Sequence, residues 1–146
     1  MIATATPWST KAGTPGTYTR TYFDAPGATV AAEVTYDPTE GRVWFKAWRI
    51  GAGRELIAHG SLAATPHAIA TAKALVSRTA SRIARRVATA YYQARLARAM
   101  DRVDAARAAL DAVPLTEYKM LAARQDELAQ LIAELDHVRS MLTLAA

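Results

Sequence analysis

The sequence predicts an α+β protein in which an N-terminal antiparallel β-meander of three or four strands packs on a very long α-helix. A second helix then folds back antiparallel to the first, forming a helical hairpin or coiled coil. Three observations support this prediction. Apolar and polar residues alternate before residue 62, an alanine- and arginine-rich run with helical periodicity follows, and leucines recur every seven residues near the C-terminus.

The 146 residues suffice for one domain, or for a small domain with a helical extension. We expect residues 1–28 to form an extended N-terminal arm with a possible edge strand, because Pro and Gly punctuate them. Residues 29–94 would hold the meander and the first half of the long helix, and residues 95–146 an antiparallel helical hairpin that mediates oligomerisation. Trp8 is either an anchor that docks the arm on a neighbouring subunit or a stray surface aromatic.

The meander is predicted from alternation and from turn residues. Apolar side chains alternate with more polar ones from Val30 to Tyr36, and the sequence of Asp37–Gly41 (DPTEG) is typical of a turn. A strand over Arg42–Ile50 follows, and Gly51–Gly53 turns the chain again. A further strand over Glu55–Leu62 completes the meander.

The strand RVWFKAWRI is amphipathic, and the sequence leaves open which side is buried. If Val43 and Phe45 belong to the helix-covered core, Trp44, Lys46 and Trp48 lie on an open face, where aromatics between cations suit base stacking and phosphate contact. Alternatively, the tryptophan face is the core and Lys46 extends its charge to solvent, or the open face is an oligomer contact.

The run from Pro66 to Val113 predicts one helix of about 45 residues, or about 70 Å. Thr65 is the expected N-cap and Pro66 the first helical residue. The apolar face changes side near Tyr92, so either one straight helix has two packing partners or two helices meet there. Because neither Pro nor Gly is present to force a kink, we favour the continuous helix.

Each half of this run has an apolar side and a basic side at the helical advance of about 100° per residue. In the first half the apolar side comprises Ile69, Val76, Ile83, Val87, Ala90 and Ala94. The opposite side carries Arg78, Arg82, Arg85 and Arg86. After Tyr92 the apolar side is expected to comprise Leu96, Met100, Val103 and Leu110.

The last helix is expected to begin at an N-cap on Thr116 and to present a heptad of leucines at positions 121, 128, 135 and 142. Folding back, Leu128 would lie opposite Met100 and Leu135 opposite Tyr92. Apolar residues near the C-terminus are then left without a partner, which predicts a homo-oligomer. The expected oligomer interface comprises Leu128, Leu135, Val138, Met141 and Leu142.

The charge of the chain is unevenly distributed. Residues 56–100 contain seven Lys or Arg and no carboxylate, whereas residues 101–146 contain five basic and eight acidic residues. A basic helix face without acids suits phosphate or an acidic protein surface; alternatively, its arginines are solvated and pair with acids of a neighbouring subunit. The expected nucleic-acid-binding residues are Arg78, Arg82, Arg85, Arg86, Lys46, Trp44 and Trp48.

No catalytic or metal-binding pattern is present. The chain has no Cys, and His59, His67 and His137 lack ligand spacing. We therefore expect a non-enzyme without metal or cofactor. No apolar stretch has the length of a membrane span or of a signal-peptide core, so we expect no membrane partner and a place in the bacterial cytoplasm or in a virion.

The order of sheet and helix over residues 29–80 resembles the arm-binding domains of phage integrases and, more loosely, the single-strand-binding coactivator fold. This is a likeness of topology, which does not by itself imply function. The sequence favours a small basic nucleic-acid-binding protein of weak sequence selectivity that self-assembles through its helices. The alternative is a phage or plasmid structural, assembly or interaction protein whose long helices and N-terminal arm build an oligomer. A small inhibitor of a nucleic-acid-handling complex is a third possibility.

Overall fold

The computed structural model describes residues 5–146, which fold as an antiparallel sheet followed by two helices. The five strands lie in chain order across the sheet, and each pairs antiparallel with its neighbour. This confirms the predicted α+β fold with a β-meander and a helical hairpin. The elements are β1 (Ser9–Thr10), β2 (Thr17–Ala25), β3 (Ala28–Asp37), β4 (Arg42–Ile50), β5 (Arg54–Ala63), α1 (Ala68–Asp111) and α2 (Tyr118–Ala145).

The chain divides into two compact units within α1. The first ends at Ala88 and contains the sheet; we call it the sheet unit. The second, Thr89–Ala146, contains the end of α1 and all of α2; we call it the hairpin unit.

Much of the expected N-terminal arm belongs to the sheet. Residues 1–4 lie outside the described part of the chain, but β1 and β2 both pair with neighbouring strands. Pro26 and Gly27 form the two-residue turn between β2 and β3, and Gly27 has a φ of 78°, which a side chain disfavours. The Pro-Gly pair is therefore a hairpin signal. The strand beyond the three or four that the sequence predicts is β1, which pairs with β2.

The other two predicted turns are present. The Asp37 carboxylate accepts hydrogen bonds from the backbone N–H groups of Thr39 (2.8 Å) and Glu40 (3.2 Å), so the side chain itself holds the β3–β4 turn. Gly51 donates its N–H to the carbonyl of Gly53 at 3.0 Å in the β4–β5 turn.

The core of the sheet unit lies between one face of the sheet and the first half of α1. Val30, Val34 and Val43 are buried on the sheet side. The helix packs against them with residues that are spaced by four and are all small or β-branched. This small-residue ridge comprises Ala68, Ala72, Val76, Ala80, Ala84 and Ala88, all of them buried.

The ridge corrects the predicted apolar face of α1. Only Val76 was expected there; Ile69, Ile83 and Val87 are half-buried beside it, and Ala90 is exposed, as is Ala94. Small side chains let a helix backbone approach a sheet closely, so alanine rather than the larger residues occupies the contact line. A repeat of four, instead of the helical 3.6, makes the contact line wind slowly around the helix.

Both helix starts differ from the predicted caps. α1 begins at Ala68, whose N–H donates to the Thr65 carbonyl at 3.1 Å, and Pro66 lies in the preceding turn. α2 begins at Tyr118 after Glu117, which makes no side-chain capping hydrogen bond, so Thr116 is not the N-cap. The α-helix runs through Tyr92 without interruption, as expected in the absence of Pro and Gly.

In the hairpin unit, α1 and α2 pack antiparallel with an offset that the sequence did not predict. Leu135 forms a cluster with Ala99 and Val103 rather than lying opposite Tyr92. Arg102 binds the Glu134 carboxylate at 3.0 Å, which fixes the same alignment. Met100 is 45% exposed and so does not belong to the apolar seam in which it was predicted.

Candidate functional site

Four arginines form an exposed stripe along α1 in the sheet unit; we call it the arginine stripe. Arg78, Arg82, Arg85 and Arg86 are all exposed. At about 100° per residue they fall within roughly a third of the helix circumference, opposite the middle of the small-residue ridge. From first to last they extend about 12 Å along the axis, at 1.5 Å per residue.

The arginine stripe has no acidic partner among the described residues. None of its members forms an ion pair within residues 5–146, whereas Arg49, Arg102, Arg124 and Arg139 all do. The reason is in the sequence, since residues 56–100 contain no Asp or Glu. A neighbouring turn of α1 therefore cannot neutralise the stripe, and its guanidinium groups retain their donors for an external anion.

The second candidate surface is the sheet face that α1 does not cover; we call it the open face. Val43 and Ala47 of β4 are buried on the helix side, and Trp44, Lys46 and Trp48, which alternate with that side, point the other way. Trp44 is 44% exposed, Lys46 is exposed and Trp48 is half-buried. Of the alternatives left by the sequence, the structure therefore has the Val43 side in the core and the tryptophans on the open face.

A carboxylate lies in the middle of this open face and changes its electrostatics. Glu33 is buried on β3, and its two oxygens contact Lys11 (3.0 Å) and Lys46 (3.1 Å). Burial opposes ionisation of Glu33, but hydrogen bonds from both lysines and their positive charges outweigh it, so the pKa of the carboxyl is lowered. Lys46 is thus already paired, which makes it a weaker phosphate contact than an unpaired cation.

The tryptophans of the open face are also engaged by their own chain. The Arg54 guanidinium lies 4.5 Å from the centre of the Trp48 ring, and that of Arg42 lies 6.0 Å from Trp44. The Trp44 indole N–H donates to a Glu40 carboxylate oxygen at 3.1 Å. These contacts occupy part of the surface that a stacked base would use.

Arg42 and Arg54 are additions to the sequence-predicted site. Arg54 is the first residue of β5 and pairs with Ile50 across the tight turn, which brings it beside Trp48. This signal was available in the sequence, because a hairpin turn at Gly51–Gly53 fixes the pairing of its flanking residues. Lys11 could not have been found this way, since its contact with Glu33 depends on β1 joining the sheet.

The structure does not bring the predicted nucleic-acid-binding residues together. Within the sheet unit, α1 covers one face of the sheet with its small-residue ridge and turns the arginine stripe outward. Lys46, Trp44 and Trp48 lie beyond the opposite sheet face. The arginine stripe and the open face therefore point in opposite directions and are two candidate sites. Of the two, only the arginine stripe consists entirely of residues without an ion-pair partner among the described residues.

Trp8 contacts its own chain. The Lys73 ammonium of α1 lies 5.5 Å from the Trp8 ring centre and 3.8 Å from that of Tyr18. β1 follows Trp8 directly and pairs with β2. Of the two expectations for this aromatic, the described contacts place it as an anchor, but on the sheet unit of the same chain.

The predicted oligomer residues on α2 are largely engaged within the chain. Leu135 and Val138 are buried, and Leu128 packs half-buried against the Ala99–Val103–Leu135 cluster. Met141 and Leu142 are half-buried as well. In this conformation little of that surface is available to a second copy.

Within residues 5–146, no three His, Asp or Glu side chains lie close enough together to hold a metal ion. Glu127 and Glu134, which share a side of α2, bind Arg124 and Arg102.

Neither α1 nor α2 is both long and apolar enough to cross a membrane. Comparison with protein-family models, curated proteins and solved structures gives no match.

Proposed function

We propose that this chain is a small non-enzymatic nucleic-acid-binding protein that contacts phosphates through the arginine stripe. The observation that supports the proposal most directly is that four neighbouring arginines are exposed and have no carboxylate partner among the described residues. The guanidinium group is planar and carries five donors, which suits bidentate contact with phosphate oxygens.

The proposed binding has weak sequence selectivity. Contacts to phosphate position a protein on nucleic acid but carry no base information. The aromatic side chains that could contact bases are on the open face, away from the stripe. The open face is accordingly a secondary contact surface in this proposal, with Trp44 as its most exposed aromatic residue.

The salt dependence of binding tests the proposal. Each phosphate contact on duplex DNA contributes about −0.9 to the slope of log K against log salt concentration, so four contacts give a slope of about −3.6. Fluorescence anisotropy with labelled duplex DNA, single-stranded DNA and RNA, measured over a series of salt concentrations, yields this slope. Absence of binding to all three at low salt would refute the proposal.

A pair of double variants localises the site. Removing two stripe charges with Arg82→Gln and Arg86→Gln is expected to make the slope shallower by about 1.8. The matched control, Arg98→Gln with Arg107→Gln, removes the same charge from exposed positions of α1 in the hairpin unit. Equal losses from the two double variants would show that binding follows net charge rather than the stripe.

The alternative proposal is a phage or plasmid assembly or interaction protein in which the stripe meets an acidic protein surface. It is favoured by the exposed apolar residues of the hairpin unit described below, which suit protein–protein contact. The mass of the protein in solution, with and without nucleic acid, separates the two proposals. A mass that increases when nucleic acid is added supports the first proposal, and a mass that nucleic acid leaves unchanged supports the assembly role.

A further inference from the structure

The offset between α1 and α2 leaves the beginning of α2 without a helical neighbour in its own chain. Arg102 contacts Glu134, and the Thr89 hydroxyl donates to the Ala145 carbonyl at 3.3 Å. Continuing this antiparallel alignment toward the connection brings Asp111, the last residue of α1, level with about residue 124 of α2. The preceding part of α2 thus extends beyond α1; this part and the end of the connection before it, residues 115–122, are here called the overhang.

The overhang is apolar and exposed. Leu115 is 81% exposed, Tyr118 78% and Met120 48%, and the first two of these are the most exposed large apolar side chains among the described residues. Leu115, Tyr118 and Leu121 are spaced by three, so the last two share a side of α2, whereas Met120, two positions from Tyr118, faces another side. Exposed apolar surface of this kind is typical of a protein contact surface.

The overhang continues an existing packing seam. Leu121, Leu128 and Leu135 are spaced by seven, and they therefore share a side of α2. Leu135 is buried and Leu128 packs against its cluster, while Leu121 is half-buried past the level where α1 ends. The seam thus continues along α2 beyond the end of α1.

The charges beside the overhang are self-complementary. Glu117 lies within it, directly before α2, and Arg124 follows it; the two are seven residues apart and therefore on a similar side of the helix. If two overhangs pack antiparallel about a two-fold axis, Glu117 of each copy lies beside Arg124 of the other. A parallel arrangement would place like charges together. Arg124 already contacts Glu127 at 2.8 Å, but its guanidinium has further N–H donors.

From this continuity and charge pattern we infer that a second copy of the chain covers the overhang. The two hairpin units associate end to end as an isologous dimer, in which the same surface of each copy contacts the other. The contact is at the opposite end of α2 from the residues that the sequence indicated. It does not depend on nucleic-acid binding and is tested without it.

Sedimentation equilibrium over a range of protein concentrations measures the association. The wild-type protein is expected to form a dimer, and the variant with Leu115→Glu and Tyr118→Glu, which changes the two most exposed apolar residues of the overhang, to be a monomer. The matched control, Met100→Glu with Leu144→Glu, changes two exposed apolar residues of the same hairpin outside the overhang and is expected to remain a dimer. Circular dichroism verifies that every variant keeps its helices.

Charge reversal tests the antiparallel geometry separately. Glu117→Arg and Arg124→Glu, each made alone, place like charges across the contact and are expected to weaken dimerisation by about tenfold. Combining the two substitutions restores opposite charges and is expected to recover most of the loss, as a double-mutant cycle requires for interacting residues. A wild-type protein that stays monomeric overturns the inference. So does a dimer that the overhang variant leaves intact or a combined variant that shows no recovery.

Discussion

Enlarging one alanine of the small-residue ridge should destabilise the sheet unit far more than enlarging an exposed alanine of the same helix. Ala80 is fully buried between α1 and the sheet, so Ala80→Leu must place three additional carbon atoms where none fit. Overpacking of this kind costs about 1–3 kcal/mol. Ala74, which is exposed, is the matched control, because Ala and Leu have similar helix propensity.

The consequence for thermal stability follows from the size of the unit. For a domain of this length, 1 kcal/mol changes the melting temperature by about 4–8 °C, so a loss of about 2 kcal/mol lowers it by about 8–16 °C. The total stability expected for a unit of this size is only about 4–13 kcal/mol, which makes the loss easy to detect.

Tryptophan fluorescence is the appropriate assay, because Trp8, Trp44 and Trp48 all belong to the sheet unit and report on its unfolding alone. Heat and urea unfolding of Ala80→Leu and Ala74→Leu are compared with the wild type. If both variants lose the same stability, or if neither loses any, the ridge is not the close contact that its burial indicates.

Three further changes are expected to have measurable effects. Gly60→Ala places a Cβ 2.6 Å from the Phe45 ring and should cost about 1–2 kcal/mol in urea unfolding, whereas Gly53→Ala, with nothing within 4 Å, should be close to neutral. Glu33→Gln removes a buried charge from two lysines and should cost about 1–3 kcal/mol at neutral pH. The folded-state pKa of Glu33 lies below its ordinary 4.5, so the stabilisation from its carboxylate is complete above pH 4.5 and is lost as the pH falls through the folded-state pKa. The Gln variant should therefore lose less stability on acidification than the wild type. Leu135→Ala should lower the free energy of unfolding of the hairpin unit by about 2–5 kcal/mol, as measured by helical circular dichroism. A loss below about 1 kcal/mol would contradict the place of Leu135 in the cluster.

The elements themselves could be predicted because their signals are local. Alternation predicted the strands β3 and β4, although it left open which side of β4 is buried, and the residues of the Asp37–Gly41 and Gly51–Gly53 turns favoured hairpins. The absence of Pro and Gly near Tyr92 predicted a continuous helix. The Pro26-Gly27 turn carried an equally local signal, whereas β1 has only two residues, which is too short for alternation to predict it.

The residues of the arginine stripe could also be predicted from the sequence. A stretch without carboxylates cannot neutralise its own arginines through neighbouring helical turns, so the exposed charge of the stripe was expected from the sequence alone. The contact of Lys11 with Glu33 was not. Lys11 follows β1 and Glu33 lies on β3, so the contact depends on β1 joining the sheet rather than on nearby sequence.

The contact line of α1 and the offset of α2 along it depend on tertiary packing, which helical periodicity does not specify. Periodicity indicates which side of a helix is apolar, but the contact line depends on how closely the partner surface approaches, and close approach selected the alanines of the ridge over Ile83 and Val87. The offset of α2 along α1 was likewise open, because a heptad seam is nearly identical after a shift of seven residues. The packing of Leu135 against Ala99 and Val103 selects one of these alignments, and that selection exposes Leu115, Tyr118 and Met120 beyond the end of α1.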